Sequence, residues 1–169
     1  LQRLIILFSF WLVFCLKIDI YTPQWNADET GFSDNRRLII KIMSSILHKE
    51  LTGSILKLFY EVYNELGYGF LEKVYQNALY NELKNNGFDV ESQKQIKVYY
   101  KNVEVGEYYA DLIVNDKLIL ELKATEAITE AHEFQLLNYL KSTNIEVGLL
   151  LNFGKKPEFC RKVFQNYRK

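Results

Sequence analysis

Two short apolar runs around a polar segment stand out between Tyr109 and Lys123, with the sequence YADLIVNDKLILELK. Two runs of β-forming residues flank the polar segment Asn115-Asp116-Lys117, whose composition is typical of a turn. Side chains two positions apart in a strand share a face, so Glu121 and Lys123 project together. The pattern predicts a β-hairpin with charged residues on one face.

The length of the turn decides where Asp111 points. A three-residue loop places Val114 opposite Leu118, and counting back places Asp111 opposite Glu121, with both carboxylates on one face. A two-residue loop would separate them, because a slip of one residue moves a side chain to the other face. With the three-residue loop the second face is apolar, and we expect it to pack against helices. That face comprises Ala110, Leu112, Val114, Leu118, Leu120 and Leu122.

Upstream of the hairpin, apolar residues recur at helical spacing in two segments, which predicts two helices. The first begins at Ser54, a plausible cap, and carries the stripe Ile55, Leu58, Phe59, Val62 and Leu66. The second ends at Gly87 and carries the stripe Phe70, Leu71, Val74, Ala78, Leu79 and Leu83. Glu72 falls in the first turn of the second helix, where a carboxylate favours the helix dipole and can bind free backbone donors. Tyr75, at helical spacing, is typical of a core aromatic.

Between the second helix and the hairpin, residues 90–105 alternate apolar and polar positions, which predicts a strand with one solvated face. Short connections make this strand and the hairpin a three-stranded antiparallel meander. Residues 130–142 predict a helix with the stripe Phe134, Leu137 and Leu140, and with His132, Gln135 and Tyr139 on a neighbouring face. The uniformly apolar residues 147–153 predict a strand buried on both faces.

The last segment, residues 154–169, is rich in lysine and arginine, and Glu158 is its only acidic residue. We expect a terminal helix with Phe159, Val163 and Phe164 inward. Two interpretations of its charges stay open: a ridge that faces phosphates, or an ordinary solvated helix face.

The composition favours one domain, because 169 residues with 49% hydrophobic side chains bury one good core. The net charge is zero, with 21 basic and 21 acidic side chains, so any binding of nucleic acid depends on a local basic surface. The two cysteines, Cys15 and Cys160, form neither a metal-binding spacing nor a disulfide framework. This suits a reducing compartment, and we expect a cytoplasmic protein.

The paired carboxylates of the hairpin predict a metal site. Asp111 and Glu121, about 5 Å apart, repel each other, and their burial is costly unless a cation or a proton intervenes. Hard oxygen ligands suit Mg²⁺ or Mn²⁺. Lys123, two residues from a ligand, is placed to orient water or to stabilise charge on a phosphate.

Asp111 followed by Glu121-Leu122-Lys123 on adjacent strands resembles the signature of the PD-(D/E)XK nuclease superfamily. Residues 69–75, GFLEKVY, are similar to the pattern that names the GxxExxY family within it. Further segments occur in the same order as in that family: the Gly-Tyr-Gly corner at 67–69, QLLNY at 135–139 and the strand at 147–153. Ala110 departs from the proline of the superfamily name.

This resemblance implies an α/β fold with a restriction-endonuclease-like core: an antiparallel meander of three strands plus a fourth strand, flanked by helices. It implies catalytic roles for Asp111, Glu121, Lys123 and Glu72, with Mg²⁺ or Mn²⁺ held by Asp111, Glu121 and Glu72. Gln135 and Tyr139 resemble an element that contacts the metal site or the nucleic acid in related nucleases. His132 and Tyr75 are further candidate substrate-orienting residues. The alternative for His132 is a surface histidine or one whose hydrogen bonds are satisfied within the fold, and the alternative for Tyr75 is an aromatic residue of the core.

The first 42 residues differ from the rest. Residues 4–16 are apolar apart from Ser9, too short to span a bilayer, and not followed by a typical cleavage site. A signal-peptide core and a buried helix are the alternatives. We expect residues 1–42 to be an extension outside the fold, with translation starting at Met43 and the nuclease-like domain at 43–169. No membrane association is expected unless the apolar run is part of the native protein.

The expected function is metal-dependent hydrolysis of phosphodiester bonds in nucleic acid, with DNA as the expected substrate. The alternative is a non-catalytic module that binds nucleic acid or a protein partner on the same scaffold, because a fold does not prove activity.

Overall fold

The computed structural model describes residues 18–19, 42 and 46–168. They form a six-stranded sheet in the order β1-β6-β5-β4-β3-β2. In chain order the elements are β1 (Ile18–Asp19), α1 (Lys49–Leu66), α2 (Glu72–Asn85), β2 (Val90–Tyr100), β3 (Val103–Val114), β4 (Leu118–Lys123), α3 (Glu130–Ser142), β5 (Val147–Phe153), β6 (Pro157–Val163) and a 3-10 turn (Asn166–Arg168). The expected α/β fold, with a meander, a further strand and flanking helices, is confirmed.

The β3–β4 hairpin has the predicted three-residue loop and register. Val114 pairs with Leu118, and Leu112 pairs with Leu120. Asn115 and Asp116 both adopt positive φ, a conformation that asparagine and aspartate tolerate better than most residues. The same register, extended by one pair, brings Asp111 to Glu121.

Two hydrophobic clusters cover the two faces of the sheet. Helices α1 and α2 pack on the face formed by Leu112, Leu120 and their neighbours. Helix α3 packs on the opposite face with Ile113 and Ile119. The expected apolar face is confirmed except at Ala110, which belongs to the α3 cluster.

The sheet continues beyond the hairpin in two ways. Strand β4 pairs with β5 in parallel, and the connection runs through α3. Strand β6 pairs with β5 in antiparallel orientation, so the terminal helix expected at 154–169 is wrong. Residues 154–156, with glycine and two lysines ahead of Pro157, form the hairpin turn that the sequence interpretation overlooked. Arg161 and Lys162 are consequently buried, each 3% exposed, and do not form a basic ridge.

Both N-terminal helices differ in detail from the sequence prediction. Helix α1 begins at Lys49, and Ser54 lies inside it with its hydroxyl donating to the carbonyl of Glu50. In α2 the buried face comprises Tyr75, Gln76, Leu79 and Leu83. Phe70, Leu71 and Val74, predicted to be buried, are exposed.

Of the first 42 residues, the structure describes only 18–19 and 42. Ile18 and Asp19 pair in parallel with Arg161 and Lys162 at the edge of the sheet. The predictions for the apolar run and for Met43 lie outside the described residues. Within the described residues, no helix combines the length and the apolar character needed to cross a membrane.

Candidate active site

Asp111 lies where β3 and β4 stop pairing through their backbones. Its Oδ2 accepts a hydrogen bond of 2.9 Å from the backbone N–H of Leu122. Its Oδ1 accepts one of 3.1 Å from Nε2 of Gln93 on β2. Beyond the last backbone pair, the Asp111 side chain therefore joins β3 to β4. It is held against β4, between Glu121 and Lys123.

Glu121 is the most buried carboxylate of the site. One oxygen, Oε1, lies 2.5 Å from Nζ of Lys123. The other, Oε2, is buried and has no hydrogen-bond partner among the described residues. Burial, followed by the negative charge of Asp111, raises the pKa of Glu121 to about 7, although Lys123 opposes the shift.

Lys123 faces all three acidic side chains. Burial alone lowers its pKa, but the hydrogen bond to Glu121 and the charges of Glu121, Glu72 and Asp111 outweigh burial and raise it. Its ammonium group therefore stays protonated at neutral pH and is the counter-ion of the acidic cluster.

Glu72, the first residue of α2, joins the cluster from the helix layer. The backbone of Ala124, directly after β4, favours the charged form of its carboxylate. Burial raises the pKa of Glu72; the charge of Lys123 opposes the shift and that of Asp111 adds to it. Asn152, fully buried on β5, fixes the same connector by binding the backbone N–H and carbonyl of Thr125, both at 3.0 Å.

Tyr139 and Gln135 approach the cluster from α3. Nε2 of Gln135 donates to the Tyr139 hydroxyl at 2.7 Å. Burial raises the pKa of Tyr139 to about 12; the charges of Glu121 and Asp111 add to the shift and the hydrogen bond from Gln135 opposes it. Tyr139 is only 3% exposed, and Gln135 is partly buried.

Comparison with known proteins identifies the family of this chain. A family model described as the PD-(D/E)XK nuclease superfamily matches residues 49–163. The chain belongs to the PD-(D/E)XK nuclease superfamily. No curated protein matches it. Among solved structures, the crystal structure of SSO0001 is similar to it, with a TM-score of 0.48 and 18% identity over 56% of this chain. The match spans 50% of that protein's chain.

Two residues predicted to orient substrate have structural roles in this superfamily member. His132 caps α3 together with Thr129: each side chain accepts a hydrogen bond from the backbone of the other. Burial, then the charge of Lys123, lowers the pKa of His132. Tyr75 is fully buried, and its hydroxyl donates to the carbonyl of Gly67 at 2.8 Å. A hydroxyl engaged in that way belongs to the core, which was the alternative for Tyr75.

Two glutamines that hold Asp111 were not identified from the sequence. Gln76, 4% exposed, donates from Nε2 to the backbone carbonyl of Asp111 at 2.9 Å. Gln93, at positive φ, binds the Asp111 side chain. Gln76 lies four residues after Glu72, so a polar residue one helical turn from a candidate ligand was a usable signal.

The acidic side chains of the site are of the chemical type that binds divalent ions. Glu121, Asp111 and Glu72 offer hard oxygen ligands, and Oε2 of Glu121 is a buried acceptor left without a protein donor among the described residues. Within the described residues no three His, Cys, Asp or Glu side chains stand at metal-ligand spacing. The Lys123 ammonium, against Oε1 of Glu121, offsets one of these negative charges.

Proposed function

We propose that this protein is a metal-dependent nuclease that hydrolyses phosphodiester bonds in nucleic acid, with DNA as the expected substrate. The observation that carries the proposal is the buried Glu121 carboxylate, with Oε2 unpaired among the described residues and with Asp111 and Lys123 beside it. A buried carboxylate without a full set of partners is costly in free energy, which favours a role that needs it.

Asp111 and Glu121 would hold Mg²⁺ or Mn²⁺, and Glu72 would support them from α2. A divalent ion bound there supplies a Lewis acid that lowers the pKa of a water molecule and neutralises charge on a phosphate. Two of the carboxylates are already oriented: Asp111 by Leu122 and Gln93, and Glu121 by Lys123. Such preorganisation lowers the reorganisation that binding and catalysis need.

Lys123 would position the attacking water and the phosphate. Its side chain is 12% exposed, and its ammonium group is bound to Glu121. In hydrolysis the water oxygen bonds to phosphorus and the leaving oxygen departs, so negative charge grows on the non-bridging oxygens. An ammonium donor beside them stabilises that charge.

Tyr139 and Gln135 would orient the site and its substrate. The raised pKa keeps the Tyr139 hydroxyl protonated at neutral pH, so it serves as a hydrogen-bond donor and not as a base. Gln135 occupies the acceptor side of that hydroxyl, which leaves its proton to be donated to another group.

The experiment uses the full chain with labelled single- and double-stranded DNA and RNA, with and without Mg²⁺ or Mn²⁺. The expected result is cleavage that requires the ion and disappears in Asp111→Asn and Glu121→Ala. Thermal unfolding supplies a second readout: millimolar Mg²⁺ should raise the Tm of the native protein but not of Asp111→Asn.

The competing function is a non-catalytic binding module, favoured by the lack of three acidic groups at ligand spacing in the described residues. That module would show no cleavage of any of the four substrates and no change of Tm with Mg²⁺. Those two results together would overturn the nuclease proposal.

A further inference from the structure

The corner before α2 exposes apolar side chains that the helical pattern predicts to be buried. Tyr68 is 62% exposed, Phe70 48% and Leu71 79%. Leu71 directly precedes Glu72, so this surface begins one residue from a candidate ligand of the metal. Apolar groups concentrated beside a catalytic site indicate a contact surface for a substrate.

The corner is rigid. Gly67 and Gly69 adopt φ of 68° and 110°, a region where side-chain-bearing residues are strained. The buried Tyr75 hydroxyl donates to the Gly67 carbonyl and accepts from the backbone N–H of Phe70 at 3.2 Å. The Phe70 ring meets the Tyr75 ring edge-on, with centroids 6.1 Å apart. The Phe70 side chain is therefore already ordered, and a ligand that packs on it costs little additional side-chain entropy.

The opposite wall is the turn between β5 and β6. A Cβ on Gly154 would lie 2.2 Å from the carbonyl oxygen of Thr125, so only glycine allows the turn to approach the connector after β4. The Tyr63 hydroxyl donates to the carbonyl of Lys155 at 2.9 Å and fixes the turn to α1. Lys155 and Lys156 remain exposed at its tip.

The two walls flank an open cavity of about 620 Å³, which we call the aromatic cleft; its lining includes Tyr68, Phe70, Leu71, Ala124, Lys155 and Lys156. The volume lies within the range of small-molecule sites and accommodates a nucleotide. Leu71 and Ala124 of the lining directly adjoin Glu72 and Lys123 in the chain, so the cleft lies next to the candidate active site.

The charges of the cleft favour a ligand that combines flat apolar groups with phosphates. Lys155 and Lys156 are balanced by Glu126 and Glu158 on the same lining. Glu158 accepts a hydrogen bond from the backbone N–H of Ile128 at 3.4 Å, which directs that carboxylate towards the protein. Two lysines attract phosphates locally, but in a neutral cleft most of the affinity must come from the aromatic surface.

We propose that the aromatic cleft binds unpaired bases of a single-stranded polynucleotide and so makes this protein act on single-stranded nucleic acid or on single-stranded ends. The proposal rests on the proposed nuclease function and deepens it. Tyr68 and Phe70 stack on bases, and Lys155 and Lys156 contact the adjoining phosphates. Bases in a duplex are already stacked and paired and cannot offer both faces to the cleft.

The test measures binding by fluorescence anisotropy, with the full chain in EDTA so that no cleavage occurs. The probes are labelled single-stranded and double-stranded oligonucleotides, each as DNA and RNA. We expect tighter binding of single strands. Tyr68→Ala and Phe70→Leu should each weaken it roughly 5- to 150-fold, and Phe70→Leu keeps an apolar contact with Tyr75. Lys155→Ala and Lys156→Ala should lower the dependence of affinity on salt.

The matched control is Tyr99→Ala, which removes a tyrosine that is 60% exposed on the distant β2–β3 hairpin. It should leave single-strand affinity unchanged. Equal binding of duplex and single strands, no measurable binding, unchanged affinity in Tyr68→Ala and Phe70→Leu, or an equal loss in Tyr99→Ala would each overturn the proposal.

The two proposals fail separately. Cleavage that persists with unchanged affinity in the cleft variants overturns the cleft and leaves the nuclease. Binding through the cleft, with no cleavage under any metal condition and no change of Tm with Mg²⁺, supports the cleft and overturns the nuclease.

Discussion

Two lysine–carboxylate pairs of the same sheet differ in their surroundings. Lys97 and Glu104, on the outer part of the β2–β3 hairpin, lie 2.9 Å apart with side chains 45% and 43% exposed. Lys123 and Glu121, on β4, lie 2.5 Å apart with side chains 12% and 3% exposed. Water solvates the outer pair, whereas Oε2 of Glu121 has no donor among the described residues. The comparison teaches that burial, and not pairing, separates a candidate reactive carboxylate from an ordinary surface one.

The largest expected contrast is in cleavage. Glu121→Gln keeps the shape of the side chain but removes the charge that would hold the metal, so the rate should fall at least about a thousandfold, equivalent to about 4 kcal/mol. Glu104→Gln should leave the rate unchanged. Single-turnover cleavage with saturating Mg²⁺ measures both. Equal rates for the two variants would contradict the assignment of Glu121.

The next contrast is in the pH dependence of stability without metal. The pKa of Glu121 is raised from 4.5 to about 7, so between these values the folded state binds more protons than the unfolded state. The free energy of unfolding should therefore fall as pH rises from about 4.5 to 7, by up to about 3 kcal/mol. Glu72, with its pKa raised as well, contributes in the same direction.

Urea unfolding in EDTA at several pH values measures this fall. Glu121→Gln should flatten the curve and unfold at higher urea concentration at pH 8, whereas Glu104→Gln should follow the native protein. A native curve that rises with pH across this range would show that Glu121 ionises readily in the folded state.

The parts of the site that depend on neighbouring residues in the sequence were predictable. The three-residue loop follows from Asn115-Asp116-Lys117, and that loop alone brings Asp111 to Glu121. The bounds of α3 and β5 follow from their own apolar patterns. In these segments the favoured local conformation and the tertiary structure agree.

The missed features depend on partners far away in the chain. Gln76 binds a carbonyl 35 residues later. Its position one helical turn from Glu72 singles it out, but no pattern within α2 identifies the carbonyl of Asp111 as its partner. Strand β6 buries Lys162 because Glu133 of α3 pairs with it at 2.8 Å, and a lysine-rich tail suggests the opposite. The exposure of Phe70 and Leu71 follows from the Gly67–Gly69 corner, which starts α2 only at Glu72.

A smaller effect separates the two lysines. Lys123→Met removes the cation that opposes the raised pKa of Glu121, so this carboxyl should stay protonated to higher pH. The cost at pH 8 is limited to roughly 1 to 1.5 kcal/mol, because proton uptake relieves the buried charge. Lys97→Met should not change the pH profile. Urea unfolding at pH 6 and pH 8 measures the difference, and an equal loss at both pH values would contradict it.

The smallest expected effect concerns two glutamines. Gln76→Met removes a buried hydrogen bond to the carbonyl of Asp111 and should cost about 1 kcal/mol of stability. Gln95→Met, on the outer hairpin, removes a hydrogen bond to an exposed Glu107 and should cost less, because water replaces it. Since Gln76 joins α2 to β3, its loss should also weaken the Mg²⁺-dependent rise in Tm, which Gln95→Met should preserve. A stability loss in Gln76→Met with an unchanged response to Mg²⁺ would show that this glutamine supports the fold without positioning Asp111.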